Sequence, residues 1–306
     1  MSFIAKVFNS LSYRWIIMRY GRRKFKHNIA IGAIFKNEAS NLFEWLSFHS
    51  GVGVTHFFLY NNNSTDNYFE VLSPWIEKGQ VTLIDWPKGN QRGAYTHCIR
   101  QVRAQCRWIA FIDLDEFLYS PSERTLCDAL KDYEGSTAIF VYWVLFGSSN
   151  HEIPPKGYVL DNYTHCLFGK EAEQDQFDHR LDGKLENYVT GWAKDGKSIL
   201  DPRKVSIMNP HRPKVVFTGE ILDENRKHPL TRGKMSSLSF NRFRINHYWA
   251  KSTQELTQKI QKGFISNPGR PSTNLDRWKE RAKGLNTSEN LDIQSLWTKI
   301  KNERNL

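Results

Sequence analysis

The stretch IAFIDLDEF, residues 109–117, decides how this sequence is interpreted. Its first half is a short apolar run typical of a buried strand, and two carboxylates follow, Asp113 and Asp115, with one leucine between them. Residues i and i+2 of a strand lie on the same face, so the pattern predicts two like charges side by side. That arrangement is costly unless a cation lies between the carboxylates. A hard divalent ion, Mn²⁺ or Mg²⁺, meets this need and suits a substrate that carries phosphates.

Strands and helices alternate on the amino-terminal side of this stretch. The predicted strands are 29–35, 55–60 and 81–86, and the stretch 109–117 is itself the fourth predicted strand. The predicted helices between these strands are 38–50, 68–78 and 91–107. This alternation is typical of an α/β fold with a mixed, mostly parallel sheet and helices on both faces. Ligands of such sheets bind at the carboxyl ends of the strands.

Polar residues follow the end of each predicted strand. They are Lys36, Asn37 and Glu38, then Asn61, Asn62 and Asn63, then Asp85, and finally Asp113 and Asp115. The carboxyl ends of parallel strands meet at one edge of a sheet, so we expect these side chains to converge. The alternative is a strand that simply ends in a solvated acidic turn, and the convergence favours the metal and phosphate site.

The bulk composition restricts the partners. The chain has 306 residues, a formal net charge of +11 and 13% aromatic residues, which together indicate a substantial core and an anionic partner. Nucleic acid, an acidic membrane and a phosphate-bearing small molecule all fit the charge. We find no zinc-finger spacing, RNP-type strand or helix-turn-helix signature, which argues against nucleic acid. The four cysteines form no CxxC pair, and we see no signal peptide, so we expect a cytoplasmic protein.

We expect three segments along the chain. Residues 1–27 combine apolar residues at helical spacing with seven Lys or Arg and no acid. Such a segment either lies peripherally on the inner face of an anionic membrane or packs on the domain that follows. Residues 28–265 form the α/β domain, and residues 266–306 form a charged, helical tail.

The helix before the acidic stretch carries further candidates for substrate binding. Gln91 and Tyr95 share one helical face, and Arg92 near the helix start could meet a diphosphate. Asn62 and Asp85 follow neighbouring strands, where they serve either as turn and cap residues or as contacts to a nucleobase. His247, in the apolar context INHYW, is either a core histidine or a third metal ligand, and His211 and His151 are the other histidines considered for that role.

Five motifs stand in order across residues 29–263: FKNEASNLFEWLSFHSGVGVTHFFLYNNNSTD, QRGAYTHC, RWIAFIDLDEFL, FGSSNH and INHYWAKS. This series resembles glycosyltransferase family 92 and its bacterial, family-2-like relatives. The resemblance implies a GT-A fold, which is a Rossmann-like nucleotide-sugar-binding domain. It also implies a nucleoside diphosphate sugar, a divalent ion and transfer with inversion at the anomeric carbon.

By position in the resemblance, Asp113 and Asp115 would form the metal and diphosphate motif, with Asp113 nearer the ribose. The nucleoside would lie near Phe35, Asn37, Glu38 and Asn62. The usual pattern after the second strand is Asp-Asn-Asp, whereas asparagines stand at both outer positions here, so the identity of the base stays open.

A catalytic base must take the proton from the acceptor hydroxyl. We expect it in the polar region after residue 147, where His151 and Asp178 are the first candidates and Glu152 and Asp175 the next. The predicted reaction is transfer of a hexose, from a UDP-linked donor, to a hydroxyl of a glycan or glycolipid. The alternative is a non-catalytic carbohydrate- or nucleotide-binding protein on the same fold. A glycosidase fits less well, since its two carboxylates must stand at least about 5 Å apart across a sugar.

Overall fold

The computed structural model describes residues 11, 14–16, 18, 19, 24–167, 195–229, 239–262 and 275–306. A nine-stranded mixed sheet forms the centre of the molecule. Eight of its strands run in the order β3-β2-β1-β4-β8-β6-β12-β5, and β11 pairs with β6 outside this order. Among the described residues, no helix has the length and apolar character that crossing a bilayer requires.

The first four strands form the parallel half of the sheet. They are β1 (His27–Phe35), β2 (His56–Asn61), β3 (Val81–Asp85) and β4 (Cys106–Phe111), and they alternate with helices α1 (Ala39–Gly51), α2 (Tyr68–Glu77) and α3 (Gln91–Val102). In β1, every residue except Asn28 is buried. This burial on both faces explains why the strand is a continuous apolar run rather than an alternating one.

Helices cover the two faces of the parallel half. Ile31 points into a cluster that contains Trp45 of α1, whereas Ile34 points into a second cluster with Tyr95 of α3. Successive strand residues alternate between faces, so β1 contributes side chains to both clusters. The prediction of a mixed, mostly parallel sheet with helices on both faces is confirmed.

The second half of the sheet is mixed in direction. It contains β5 (Glu116–Tyr119), β6 (Ala138–Leu145), β8 (Gly196–Leu200), β11 (Ile221–Leu222) and β12 (Arg244–His247). Strand β8 lies between β4 and β6 and runs antiparallel to both. Strand β12 runs parallel to β6 and antiparallel to β5. This half therefore brings together residues that lie far apart in the chain.

Smaller elements complete the described fold. The remaining strands are β7 (His165–Cys166), β9 (Val205–Met208), β10 (Pro213–Val216) and β13 (Ser288–Glu289). The remaining helices are α4 (Leu126–Leu130), a short 3-10 helix at Lys131–Tyr133, α5 (Val159–Asn162), α6 (Thr253–Lys262), α7 (Leu275–Lys283) and α8 (Asp292–Arg304).

Helix α8 packs on the core. Its Trp297 is fully buried, with its ring 6.3 Å from Phe48 of α1 and 5.2 Å from Tyr158. Close packing requires glycine at position 51, because a Cβ there would lie 2.7 Å from the Ile300 side chain. Two helices, α7 and α8, thus lie within the carboxyl-terminal stretch, and α8 is an integral part of the core.

The prediction of one strand across residues 109–117 is wrong. Strand β4 ends at Phe111, the chain turns, and β5 begins at Glu116 on the far side of the sheet. Asp113 and Asp115 therefore lie in the connection between two strands, and their proximity comes from a turn rather than from strand alternation.

Candidate active site

The candidate active site is centred on the turn between β4 and β5, which carries Asp113 and Asp115. The turn is closed by its own hydrogen bonds. The Glu116 amide donates to the Asp113 carbonyl at 3.1 Å, and the Asp113 amide donates to Glu116 Oε2 at 2.9 Å. The indole of Trp45 donates to the carbonyls of Asp113 and Glu116 at 3.2 and 2.9 Å. Helix α1 thus fixes the backbone that presents the two carboxylates.

Asp113 accepts hydrogen bonds from three side chains. Gln91 Nε2 and the Tyr95 hydroxyl reach its Oδ1 at 2.8 and 3.3 Å, which confirms the shared helical face expected for these two residues. Lys197 Nζ reaches its Oδ2 at 2.7 Å. Burial acts to raise the pKa of Asp113, but the Lys197 ammonium outweighs it and holds the pKa below its usual range. Asp113 is therefore ionised at neutral pH.

Asp115 is held by a different lysine. Lys259 Nζ donates to its Oδ2 at 2.6 Å and to the Trp249 carbonyl at 3.1 Å, while His247 Nε2 lies 3.6 Å from its Oδ1. Burial again acts to raise the pKa of Asp115, and the charges of Lys259 and His247 lower it well below the usual value. The two aspartates therefore each have a cationic partner.

Sequence reasoning missed the group that lies beneath this turn, Lys197 on β8 and Glu116 on β5. Lys197 is 1% exposed and lies 3.6 Å from Glu116 Oε1, and Glu116 is fully buried. Burial raises the pKa of Glu116 well above its usual range despite Lys197. For Lys197, burial acts to lower the pKa, but Asp113 and Glu116 outweigh it and raise the pKa.

A lysine at the start of an apolar strand, GKSIL, is the signal that could have identified Lys197. Buried lysines almost always have a carboxylate partner. The sequence does not say which carboxylate, because strand pairing decides it. Lys259 gave no comparable signal, since it stands in a helix with several charged residues.

The donor atoms of Asp113, Asp115 and His247 fit a divalent cation in type, since carboxylate oxygen and imidazole nitrogen both bind Mn²⁺. Within the described residues, however, no three His, Cys, Asp or Glu side chains are gathered so as to hold an ion. The reason is visible in the contacts, because both carboxylates face lysine ammonium groups. His247 Nδ1 is buried without a hydrogen-bond partner and lies 3.9 Å from Glu116 Oε1. Metal binding at these residues stays a prediction.

The residues expected near the nucleoside lie around the ends of β1 and β2. Asn37 has a left-handed backbone, with φ of 52°, and its side-chain oxygen accepts from the Thr65 amide at 2.7 Å. The Asn62 amide donates to the Phe35 carbonyl at 2.8 Å. The Asn62 side chain donates to the Trp86 carbonyl at 2.9 Å. These contacts join the carboxyl ends of β1, β2 and β3. The nucleoside role of these residues stays a prediction.

Glu38, Asp85 and Arg92 occupy three different settings. The Glu38 carboxylate accepts from Asn41 Nδ2 at 2.5 Å, and Asn41 Oδ1 accepts from Lys251 at 2.6 Å, which links α1 to the start of α6. Asp85 is exposed and accepts from an asparagine side chain at the end of β2, at 3.0 Å. Arg92 is exposed on the first turn of α3. All three lie at the same edge of the sheet, beyond the carboxyl ends of β1 to β3.

The two catalytic candidates remain predictions. His151 Nε2 contacts the Asn162 carbonyl at 3.1 Å, and its ring packs edge-on against Tyr163. Asp178, like Asp175, lies outside the described residues. His211, the alternative ligand, lies near Lys197 and contacts the Gly196 carbonyl and Asp195.

A family model supplies the first comparison with known proteins. The model of glycosyltransferase family 92 matches residues 28–282. This chain belongs to glycosyltransferase family 92. The match contains Asp113, Asp115, Lys197, His247 and Lys259, so the whole carboxylate and lysine cluster falls inside the family domain.

Curated relatives agree with this assignment. A family 92 protein of Ricinus communis is 30% identical over 229 residues, which cover 69% of this chain and 39% of that protein. A family 92 protein of Oryza sativa subsp. japonica is 36% identical over 51% of this chain and 27% of its own length. A galactan beta-1,4-galactosyltransferase of Arabidopsis thaliana is 28% identical over 37% of this chain and 24% of its own. The chain thus spans about two fifths or less of the length of these relatives.

The solved structures that this chain is similar to are distant in sequence. Staphylococcus aureus TarS, residues 1–349, is 11% identical, with a TM-score of 0.35 over 89% of this chain and 78% of that chain. The mannosyltransferase PcManGT of Pyrobaculum calidifontis, solved with GDP-Man and Mn²⁺, is 18% identical, with a TM-score of 0.31 over 45% of this chain and 44% of that chain. The sheet described above and the family membership together identify the fold as GT-A, as expected from the resemblance.

Proposed function

We propose that this protein transfers a hexose from a nucleoside diphosphate sugar, with UDP as the nucleotide, to a hydroxyl of a glycan or glycolipid. The observation that supports this most directly is the pair Asp113 and Asp115 at the carboxyl edge of a parallel sheet, where such folds bind nucleotides. Membership of family 92 and the galactosyltransferase among the relatives point to the same reaction.

The proposal assigns a divalent ion, Mn²⁺ or Mg²⁺, to Asp113 and Asp115, with His247 as a further ligand. When bound, such an ion supplies positive charge to the diphosphate leaving group. Gln91 and Tyr95 hold Asp113 in place through their hydrogen bonds to its Oδ1. The side chain of Asp113 therefore cannot rotate freely when a ligand arrives, which keeps the site preorganised.

Lys197 and Lys259 have different tasks in this proposal. Lys197 is 1% exposed, so it neutralises the carboxylates at the buried bottom of the site and does not reach a substrate. The Lys259 side chain is 34% exposed and lies on the solvent side of Asp115. An ammonium in that position is able to exchange Asp115 for a phosphate oxygen, since both are anionic hydrogen-bond acceptors.

The hydroxyl oxygen of the glycan or glycolipid attacks the anomeric carbon from the face opposite the diphosphate, which gives inversion.

A ligand screen followed by turnover tests this proposal. The full chain is incubated with UDP, GDP, ADP and CDP, each with Mn²⁺, Mg²⁺ or EDTA, and the melting temperature is recorded. We expect UDP with a divalent ion to give the largest increase. A panel of UDP-sugars with Mn²⁺ should then release UDP slowly even without an acceptor, because water replaces the acceptor hydroxyl.

The outcomes separate the proposal from its alternative. Nucleotide binding without turnover of any sugar donor, with or without glycan acceptors, would identify a non-catalytic binding protein on a GT-A fold. An equal shift in EDTA would contradict the metal dependence and leave the two lysines as the cations of the site. Absence of binding by all four nucleotides would overturn the proposal.

A further inference from the structure

A histidine and aspartate pair lies beside the candidate active site. His211 stands between β9 and β10, and Asp195 immediately precedes β8. His211 Nδ1 lies 3.0 Å from the Gly196 carbonyl and 3.3 Å from Asp195 Oδ1. Both of these atoms accept hydrogen bonds, so Nδ1 carries the proton and Nε2 keeps its lone pair. The His211 side chain is 39% exposed, and its Nε2 bonds to no described residue.

The backbone around this pair is held firmly. Ser198 donates its hydroxyl proton to the His211 carbonyl at 3.0 Å, which ties the β9–β10 connection to β8. Position 196 requires glycine, because a Cβ there would lie 2.0 Å from the Val141 carbonyl oxygen. The carbonyl that accepts from His211 is therefore fixed against the neighbouring strand β6.

Two structural links connect His211 to the carboxylate site. Gly196, which accepts from His211, directly precedes Lys197, which binds Asp113. The ring of Trp143 lies 5.2 Å from the His211 ring and 4.5 Å from the His247 ring. His211 is thus one aromatic ring away from the histidine that faces Asp115.

Burial, assisted by the Lys197 ammonium, favours the neutral imidazole of His211. Burial lowers its pKa, and the nearby Lys197 ammonium lowers it further, while Asp195 and Asp113 act in the opposite direction. A neutral imidazole with a free Nε2 is able to accept a proton at neutral pH.

We propose that His211 is the general base of the transfer reaction and that Asp195 is its positioning residue. This inference rests on the proposed glycosyl transfer and adds the group that receives the proton. His211 Nε2 takes the proton of the acceptor hydroxyl, and the oxygen forms a bond to the anomeric carbon. The bond from that carbon to the diphosphate oxygen breaks, and its electron pair leaves with the nucleoside diphosphate. The dyad orients the imidazole in the way that a carboxylate orients a catalytic histidine elsewhere.

The test compares His211→Ala and His211→Gln with the unchanged protein in the full chain. We expect kcat with UDP-sugar to fall by about 10²–10⁴-fold, because general base catalysis contributes that much. The KM for the donor and the melting-temperature increase caused by UDP with Mn²⁺ should remain unchanged, which also shows that the variants are folded. Asp195→Asn should move the acidic limb of the kcat/KM profile to lower pH, since it removes a charge that favours the imidazolium.

His228→Ala is the matched control, because His228 also faces a carboxylate, Glu220 at 3.8 Å. The His228 side chain is 73% exposed and lies away from the site, since it follows β11, which pairs with the opposite end of β6. This control should keep full activity. A His211→Ala variant with at least a third of the normal kcat would overturn the assignment. An Asp195→Asn variant whose kcat/KM profile has its acidic limb at the same pH as the unchanged protein would overturn it as well. An inactive unchanged protein would instead contradict the proposed function itself.

An independent observation concerns the amino-terminal segment. Residues 11, 14–16, 18 and 19 are helical, and Ile16 is buried, whereas Leu11, Trp15 and Met18 are 59%, 50% and 77% exposed. Residues 11, 15 and 18 share one face of a helix. The guanidinium of Arg19 lies 5.0 Å from the Trp15 ring centre on this face. Exposed apolar side chains beside arginines are typical of helices that lie in a membrane interface.

We infer that this face binds an anionic membrane surface. Residues 1–27 carry seven Lys or Arg and no acid, so their charge is complementary to acidic lipid headgroups. Flotation of the full chain with phosphatidylcholine vesicles, with and without phosphatidylglycerol, tests the inference. We expect binding only to the anionic vesicles and its loss in the variant Leu11→Ser, Trp15→Ser, Met18→Ser.

Phe69→Ser, which changes a residue that is 58% exposed on α2, is the control and should float like the unchanged chain. Equal binding to neutral and anionic vesicles, or normal flotation of the triple variant, would overturn the inference. If the unchanged chain forms a dimer but binds no vesicles, and the triple variant alone is monomeric, the face would instead bind a second copy of the protein.

Discussion

The two halves of the sheet contribute opposite charges to the candidate site. The parallel half ends at β4 and the turn that carries Asp113 and Asp115, whereas the mixed half and the helix after it supply Lys197 and Lys259. The two ion pairs join residues 84 and 144 positions apart in the chain. The anionic part of the site is therefore local in sequence and the cationic part is not. Each half is incomplete without the other, because carboxylates and ammonium groups are both costly to bury alone.

Removal of Lys197 should break this arrangement most severely. Lys197→Met leaves Asp113 and the buried Glu116 without a cation. Breaking a fully buried pair costs about 3–5 kcal/mol of unfolding free energy, and the cost here should lie at or below the lower end of that range, because the Asp113 side chain is 35% exposed. Urea unfolding measures the loss. The double variant Lys197→Met, Glu116→Gln should recover part of it, because one buried carboxylate is then gone. A single variant as stable as the unchanged protein would show that the two halves do not depend on this contact.

Asp115→Asn tests the anionic half alone. The substitution removes a charge and almost no volume, so the fold should be kept while turnover of UDP-sugar with Mn²⁺ falls by at least about 100-fold. Release of UDP is the measurement, and circular dichroism checks the fold. Asp128→Asn is the matched control, since Asp128 also pairs with a lysine, Lys131 at 2.7 Å, but at the surface. Normal turnover by Asp115→Asn would remove the acidic pair from the site.

His49 lies at the junction of the halves and predicts a pH dependence. Its Nδ1 donates to the Trp45 carbonyl and its Nε2 accepts from the Leu118 amide of β5, at 2.8 and 3.0 Å. Burial lowers the pKa of His49 from 6.5 to about 3. Below about pH 6.5 the His49 side chain is protonated in the unfolded chain but stays neutral in the folded protein. The free energy of unfolding therefore falls as the pH decreases below 6.5.

Unfolding free energies at pH 7.5 and pH 5 measure this effect. Burial raises the pKa of Glu44 to about 7, which changes stability in the opposite direction, so the comparison is made in a Glu44→Gln background. Adding His49→Asn there should remove about 1–2 kcal/mol of the decrease between the two pH values. An unchanged decrease would mean that protonation of His49 does not separate the halves.

Lys259→Met should have the smallest effect of these variants, and it should strengthen the binding of Mn²⁺ alone rather than weaken a property of the site. The Lys259 ammonium occupies Asp115 Oδ2 and is partly exposed, so the pair is worth about 1 kcal/mol or less. Without it, Mn²⁺ alone should bind up to about fivefold more tightly in a calorimetric titration. The affinity for UDP in the presence of Mn²⁺ should fall, because the proposed phosphate contact is lost. Weaker Mn²⁺ binding would show that Lys259 supports the metal site rather than competing for it.

The parallel half could be predicted from the sequence because its information is local. Each strand is a continuous apolar run, each helix follows at once, and the order along the chain brings the strand ends to one edge. Helical spacing also predicted that Gln91 and Tyr95 share one face, but it did not predict their hydrogen bonds to Asp113. The single strand expected across residues 109–117 failed because an apolar run cannot show that the chain reverses into a second strand.

The sequence by itself determined the α/β class, the helices on both faces, the family resemblance and the acidic pair at the sheet edge. Only the tertiary structure decided that Lys197 neutralises Asp113, that Lys259 covers Asp115, and that His211 stands beside Asp195. These contacts depend on β8 entering between β4 and β6 and on α6 returning to the turn. Such pairings join distant parts of the chain, and their free energy comes from burying charges together, which no periodicity along the sequence records.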